Sequence, residues 1–374
     1  MYQFEKHLTL LGFDTKISDC DRQLYFKEYE VIRDQIFLSI CQIDEDFRDL
    51  FNGTSLFGSQ STKVPINIPD EFDAIINLKI PFSSLVEMEL DDERPGFIYI
   101  NLKDVMDKMS EDETYDSLYD LLDDLTNDYF YLDRSCLKYW ISKLFCAGLE
   151  NLDYRVLGCN RDVYFLEYST RGLTHTIYAH CDNRKILIDF VPGIMFQKQS
   201  WMKLNSFKSY ITRNKTWYAV PKPSFGNKRT KYCSFLICNP HGENKLLHDR
   251  QHLKVTFCLL KALCRCYKMK RFKTYFLTTA FFWEITKNKP SFWENSLSDL
   301  LIHMLNVLDD YFQDGVLPFF WNKDLNLLDI LRASEIKKYA KLIRSAYNTL
   351  STYPSQPLLS FERTLTHFDF EERF

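Results

Sequence analysis

No apolar run in this 374-residue chain is long enough to cross a bilayer, and its opening segment, MYQFEKHLTLLGF, carries no signal-peptide pattern. A membrane protein and a secreted protein are therefore not expected, and a cytoplasmic one is. Cysteine occurs eleven times but never as C-x-x-C, and the nearest spacing is Cys264-Arg-Cys266. An odd number of scattered thiols argues against a disulfide framework and fits free thiols in a reducing compartment. No internal repeat and no low-complexity linker breaks the chain. Acidic residues are nearly missing from one stretch. Residues 196–275 hold 18 Lys/Arg against 2 Asp/Glu, a balance of +16, whereas residues 1–150 hold 14 against 31, a balance of −17. The formal net charge of −4 conceals this split. Unrelieved like charge costs stability through self-repulsion, so the basic stretch is expected to meet a polyanion, nucleic acid first.

The chain is long enough to bury a large core in one domain or two lobes, and its 31 Phe and 22 Tyr predict a core rich in ring packing. Apolar residues Tyr25, Tyr29, Ile32, Ile36, Phe37 and Ile40 at helical spacing predict one long helix over 23–50. A turn region over Gly53–Ser59 and a loop over 60–70, with Pro65 and Pro69, are expected to follow. Strands are predicted from Phe72 to about Ile80, over Phe97–Leu102, and as a meander over Val163–Tyr168, Thr174–Cys181 and Lys185–Val191. Residues 110–128 and 133–148 read as helical. So do 246–270, 274–286, 291–312 and 326–349, in a part expected to be mainly helical from about 197 onward. The expected class is α+β and bilobal: a mixed-sheet lobe with a long N-terminal spine helix over 1–195, and a helical lobe over 196–374.

Within this frame one constellation carries chemistry. Gly58-Ser59 is followed, twelve residues after the serine, by Glu71-Phe72-Asp73. On a strand Glu71 and Asp73 project from the same face. Two hard oxygen ligands side by side suit Mg²⁺ (or Mn²⁺), which prefers carboxylates plus substrate phosphates to a closed protein cage. A pair of such ions clamps the attacking and leaving oxygens of a phosphoryl transfer. The glycine lets backbone approach phosphate, and the serine adds a hydroxyl and an amide. A third carboxylate is offered by Asp189, in Lys185-Ile-Leu-Ile-Asp-Phe-Val191. Alternation sets Ile186, Ile188 and Phe190 on one face and Leu187 with Asp189 on the other. A carboxylate on so apolar a strand is costly to bury unless it is paired or binds a metal. This arrangement resembles that of nucleotidyltransferases of the polymerase-β type.

With these residues in place the chain resembles the cyclic GMP-AMP synthase-like receptors, from about residue 23 to the C-terminus. Tyr218-Ala-Val-Pro-Lys222 is similar to the family's strand end in VPK, and Leu260-Lys261 sits where the family has a nucleotide-contacting lysine. Thr274-Tyr275-Phe276-Leu277-Thr278-Thr279-Ala280-Phe281-Phe282 resembles the family's segment whose tyrosine stacks on a base. The resemblance implies that Glu71, Asp73 and Asp189 bind two Mg²⁺ ions, with Asp189 helping to activate the attacking ribose hydroxyl. It implies that Gly58 and Ser59 hold the triphosphate, and that Ser234, Lys261 and Tyr275 contact nucleotide. The implied reaction joins ATP and GTP into a cyclic dinucleotide after a nucleic-acid ligand orders the active-site loop. Dimers on that nucleic acid are compatible with the family.

Two departures stand out. Where the vertebrate enzyme has Arg in a WRLSFS strand, this chain has Lys231-Tyr232-Cys233-Ser234-Phe235-Leu236, which opens the choice of base and linkage. The Cys-rich zinc insertion of the vertebrate DNA sensor is missing. Cys238, His241, His248 and His252, spaced 3, 7 and 4 apart, are the only local substitutes, and no zinc is expected. Relatives without that insertion resemble RNA sensors, so double-stranded RNA is the expected ligand. Such a duplex is read through shape, 2′-hydroxyls and phosphates, which a lysine-rich face supplies. Arg213, Lys215, Lys228, Arg229, Lys268, Lys270, Arg271 and Lys273 are the expected contacts. Two competing readings stay open: a catalytically silent binding protein on the same fold, and a template-independent enzyme extending RNA ends.

Overall fold

The computed structural model describes residues 3–14, 19–58, 70–182, 184–197, 216–222, 232–248 and 250–370. These fall into two compact units, one drawn from residues 22–242 and one gathering the N-terminal helix with residues 243–370. The boundary expected at 195/196 falls inside a strand, β8 (Arg184–Gln197), and two further strands beyond it remain with the sheet unit. Backbone pairing continues through this point, so the chain cannot change unit there without breaking the ladder. Among the described residues no helix is long and apolar enough to cross a membrane.

The sheet unit opens with α2 (Asp19–Ile43), which follows α1 (Gln3–Asp14). The expected single helix over 23–50 is instead interrupted at Asp44, and α3 (Glu45–Leu50) begins anew. Asp44 takes extended dihedrals, and its side chain accepts the Phe47 amide at 2.7 Å. A short carboxylate that can cap the next turn competes with continuation of the first helix. The segment read as a turn is also different. Phe51–Phe57 forms β1, antiparallel to β2 (Glu71–Leu78), with an extra residue bulged between Phe51 and Thr54 where Gly53 sits at φ +78°.

The remaining strands are β3 (Glu87–Leu90), β4 (Phe97–Asn101), β5 (Arg155–Leu157), β6 (Val163–Arg171), β7 (Thr174–Cys181), β8 (Arg184–Gln197), β9 (Thr216–Pro221) and β10 (Ser234–Cys238). They run in the order β3-β4-β10-β9-β8-β7-β6-β5, with β2 joined to β8 and β1 to β2. Among the described strands only β2 with β8 is parallel, so the sheet is mixed. The class is α+β, as expected. Beside the sheet come α4 (Lys103–Met109), α5 (Asp116–Leu125) and α6 (Arg134–Asn151).

One face of the sheet is sealed by α2 and α6. Tyr29 stacks on Phe72 at 4.4 Å, and Phe37 meets Phe190 edge-on at 5.1 Å. Phe190 in turn lies 5.6 Å from Phe145 of α6. Gly148 lets the two helices close up, because a Cβ there would stand 2.6 Å from Ile40. Ile186, Ile188 and Phe190 are fully buried on this side, as their alternation predicts. Each such side chain contributes roughly 1.5–3 kcal/mol by leaving water. The odd-numbered residues between them are thereby turned to the opposite face.

In the helical unit, α1 packs with α8 (Gln251–Cys266) and α10 (Leu297–Asp314). The unit also holds α9 (Thr274–Lys287), α11 (Ala333–Leu350) and α12 (Phe361–Leu365). The preceding helix, α7 (Pro240–Leu247), begins in the sheet unit and ends in this one.

Candidate active site

Strand register assembles the site. In the parallel ladder Asp73 of β2 lies directly opposite Asp189 of β8, and Glu71 opposite Leu187. Residues opposite one another in a ladder share a face, and so do residues two apart along a strand. Glu71, Asp73 and Asp189 therefore project together from the face that α2 and α6 leave uncovered. Thr176 of β7 is opposite Asp189, and its hydroxyl donates to Asp189 Oδ1 at 2.6 Å. One oxygen of that carboxylate is thus fixed from the neighbouring strand.

Gly58 closes the site from β1. Phe57 is opposite Asp73, so the next residue passes over the Asp73 carboxylate. A Cβ on Gly58 would stand 2.3 Å from Asp73 Oδ2, and the residue has φ +73°. Only glycine fits both the contact and the dihedral. Burial pushes the Asp73 carboxyl up to about 7, and the charges of Glu71 and Asp189 add to the effect. Crowded like charge of this kind is what a bound cation relieves.

On the same face the carboxylates border an apolar floor. Ile75, Met195 and Tyr218 form a buried cluster, with Phe57, Val220 and Cys238 packed against it. Ser55 and Tyr218 join their hydroxyls across it at 2.8 Å. Among the described residues no three His, Cys, Asp or Glu side chains already stand as a finished metal cage. The donor set nevertheless suits a divalent ion of the Mg²⁺ class: hard carboxylate oxygens in register, with the Gly58 backbone close by.

Residues 61–249 match the family described as the Mab-21 protein nucleotidyltransferase domain. The chain belongs to the Mab-21 family. Residues 252–345 match the Mab-21 protein HhH/H2TH-like domain, so the two matches meet near the passage from sheet to helices. This Mab-21 family member is a nucleotidyltransferase, and such enzymes usually work with divalent metals. It is 26% identical to a cyclic GMP-AMP synthase-like receptor of Lucilia cuprina, over 92% of either chain. It is 29% identical to a cyclic GMP-AMP synthase-like protein of Drosophila melanogaster, over 86% of either chain. A cyclic GMP-AMP synthase-like receptor of Ctenocephalides felis is 24% identical, over 96% of this chain and 87% of its own.

Ser59, Arg213, Lys215, Lys228 and Arg229 lie outside the described residues. Ser234 is fully buried on β10, where Arg94 donates to its hydroxyl at 2.7 Å while lying 3.7 Å over the Phe97 ring. By register Ser234 shares the face of Cys238, Tyr218 and Met195, which is the face of the carboxylates. Lys261 and Tyr275 belong to the helical unit, half-buried on α8 and in the first turn of α9. The Tyr275 hydroxyl donates to Glu243 at 2.7 Å. Lys268, Lys270, Arg271 and Lys273 are exposed along the connection from α8 to α9. Arg271 is partly committed to α11 and the turn before it, through Glu335 at 2.7 Å and the Ile330 carbonyl at 2.8 Å. His252, weighed as a zinc ligand, shares a hydrogen bond with the Asn295 carbonyl at 2.8 Å.

Thr176, Arg94 and Glu243 were not singled out by the sequence reading. Thr176 had a usable signal: Cys181 pairs with Arg184 across the short turn, and counting back places Thr176 opposite Asp189. Arg94 and Glu243 had none, because their partners are far away in sequence.

Proposed function

We propose that the protein is a nucleic-acid-activated cyclic dinucleotide synthase that joins ATP and GTP, with double-stranded RNA as its ligand, acting in the cytoplasm as an innate immune sensor. The observation that carries this reading is the register of Asp73 against Asp189, with Glu71 on the same face and Gly58 folded over Asp73. In this reading Glu71, Asp73 and Asp189 hold two Mg²⁺ (or Mn²⁺) ions. The bound ions supply positive charge to the attacking and leaving oxygens of the phosphoryl transfer. The Gly58 backbone and Ser59 hold the triphosphate. Asp189, with one oxygen steadied by Thr176, takes the proton of the attacking ribose hydroxyl. Lys261 and Tyr275 contact the nucleotides. Ser234, its hydroxyl held by Arg94, joins them from the carboxylate face of β10.

The basic stretch supplies the sensor. Lys268, Lys270, Arg271 and Lys273, with Arg213, Lys215, Lys228 and Arg229, neutralise phosphates of the duplex. The cyclic GMP-AMP synthase-like names of the relatives support the product class. The test is turnover of labelled ATP plus GTP with Mg²⁺, alone and with long duplex RNA or duplex DNA, products being read after phosphatase treatment. A resistant cyclic product that appears only with RNA is expected. Product with DNA alone overturns the ligand, a lengthened RNA overturns the product, and silence in every lane from folded protein favours a binding protein. Glu71→Ala with Asp73→Ala is expected to abolish synthesis and leave RNA binding intact.

A further inference from the structure

Glu243 is one of only two acids in the eighty-residue basic stretch 196–275. An acid there weakens the attraction for any polyanion, so its presence calls for a local reason. The helical unit supplies one. Glu243, on α7, accepts a hydrogen bond from the Tyr275 hydroxyl at 2.7 Å and another from the Trp321 indole N–H at 2.8 Å, both at Oε1. Trp321 is almost fully buried and meets Phe320 edge-on at 5.0 Å, while Phe319 lies 6.3 Å from the Tyr275 ring. Tyr275 stands in the first turn of α9, half-buried. A tyrosine so placed is free to turn about two side-chain torsions unless its far end is tied. Here the tie is a carboxylate, and hydrogen bonds to an ionised acceptor are the stronger kind.

We propose that Glu243 is a positioning residue that holds the Tyr275 ring, with Trp321 as the second anchor of the same oxygen, as a preset stacking surface for a purine base. This rests on the reading that Tyr275 contacts nucleotide. Glu243 touches no phosphate in this scheme. It removes the cost of ordering the ring when the base arrives, which is where a preorganised platform gains affinity. The effect therefore belongs to ligands that carry a base, and not to those that carry phosphates alone.

That distinction gives the test. Binding of ATP, of GTP and of inorganic tripolyphosphate, each with Mg²⁺, is measured by calorimetry on the full chain and on Glu243→Ala, Glu243→Gln and Tyr275→Phe. Thermal melting confirms that each variant is folded. Glu243→Ala is expected to weaken the purine nucleotide it positions by about tenfold, the size of one good hydrogen bond, with tripolyphosphate unchanged. Glu243→Gln, which keeps an acceptor oxygen, restores part of that loss. Tyr275→Phe keeps the ring and removes the tie from the other side, so it reproduces the Glu243→Ala loss even where Glu243→Ala fails to fold. Adding Tyr275→Phe to Glu243→Ala costs little more than either alone. Equal nucleotide affinity in wild type and in both single variants overturns the proposal while leaving the nucleotidyltransferase reading intact. A parallel loss of tripolyphosphate affinity assigns Glu243 a general structural role and likewise overturns it. Wild-type protein that binds tripolyphosphate as tightly as it binds nucleotides removes the base-stacking role of Tyr275 itself.

Discussion

Gly58 illustrates how a single missing methyl group governs this site. An alanine there has to tolerate φ +73° and a Cβ 2.3 Å from Asp73 Oδ2, so either β1 withdraws or the carboxylate turns away. The dihedral alone costs about 1 kcal/mol. Gly58→Ala is therefore expected to lower the melting temperature only slightly while removing most synthetic activity, and equal losses in both would argue for a merely structural glycine. Thr176 acts more gently, by steadying one Asp189 oxygen at 2.6 Å. Thr176→Val should reduce turnover roughly tenfold, the worth of one hydrogen bond to a charged group, and Thr176→Ser should restore it. His175 offers a test on the sealed face. It is fully buried, pairs with the Tyr168 hydroxyl at 2.8 Å and stacks near Phe145. Burial, aided by Lys138, pulls its imidazole down to about 4. The folded state keeps it neutral while the unfolded chain takes up a proton below about 6.5. Its contribution is complete at neutral pH and is lost as pH falls from 6.5 toward 4, by about 3 kcal/mol. Denaturant titrations across that range should show a shallower slope for His175→Gln, and an unchanged slope would exonerate the histidine.

Strands and helices of this protein differ in how well their neighbours in sequence define them. The pairing of β7 with β8 follows from a short turn, and the alternation over 186–190 correctly separates the sealed face from the site. The break at Asp44 and the strand β1 were not legible. Both depend on a choice between local options, a cap against a continued helix and a strand against a turn, and the outcome stacks Phe47 and Phe51 on Phe37. The α8–α9 connection presents Lys268, Lys270 and Lys273 as exposed charges, whereas Arg271 also ties down α11. Lys268→Ala, Lys270→Ala and Lys273→Ala together should weaken duplex RNA binding and leave the melting temperature within about a degree, since exposed charges contribute little to stability. Arg271→Ala should lower both. A melting temperature that fails to move in Arg271→Ala would mean that its two side-chain hydrogen bonds are idle.

At the scale of the whole molecule, charge is sorted along the chain: −17 over residues 1–150 and +16 over 196–275. A partner that is a polyanion should feel the second stretch strongly, and its binding should fall with salt at a log–log slope near −0.9 for each phosphate neutralised, by analogy with duplex DNA. Filter binding of duplex RNA across a salt series measures that slope, and the triple lysine variant should flatten it by about three such steps. A slope near zero in the wild type would remove nucleic acid as the partner of this surface.

The sequence by itself determined the three carboxylates, their spacing on strands, the buried run 186–190, the asymmetry of charge and the division into a sheet part and a helical part. These rest on patterns within a few residues, where side-chain alternation and composition suffice. Only the tertiary structure decided that Asp73 stands opposite Asp189, that Gly58 folds over that pair, that Thr176 steadies it, and that Ser234 is enclosed with Arg94. It also carried the sheet past residue 195 and brought Glu243 to Tyr275 and Trp321. Each of these joins residues distant along the chain through register or packing, and no local pattern specifies which distant partner a strand or side chain will meet.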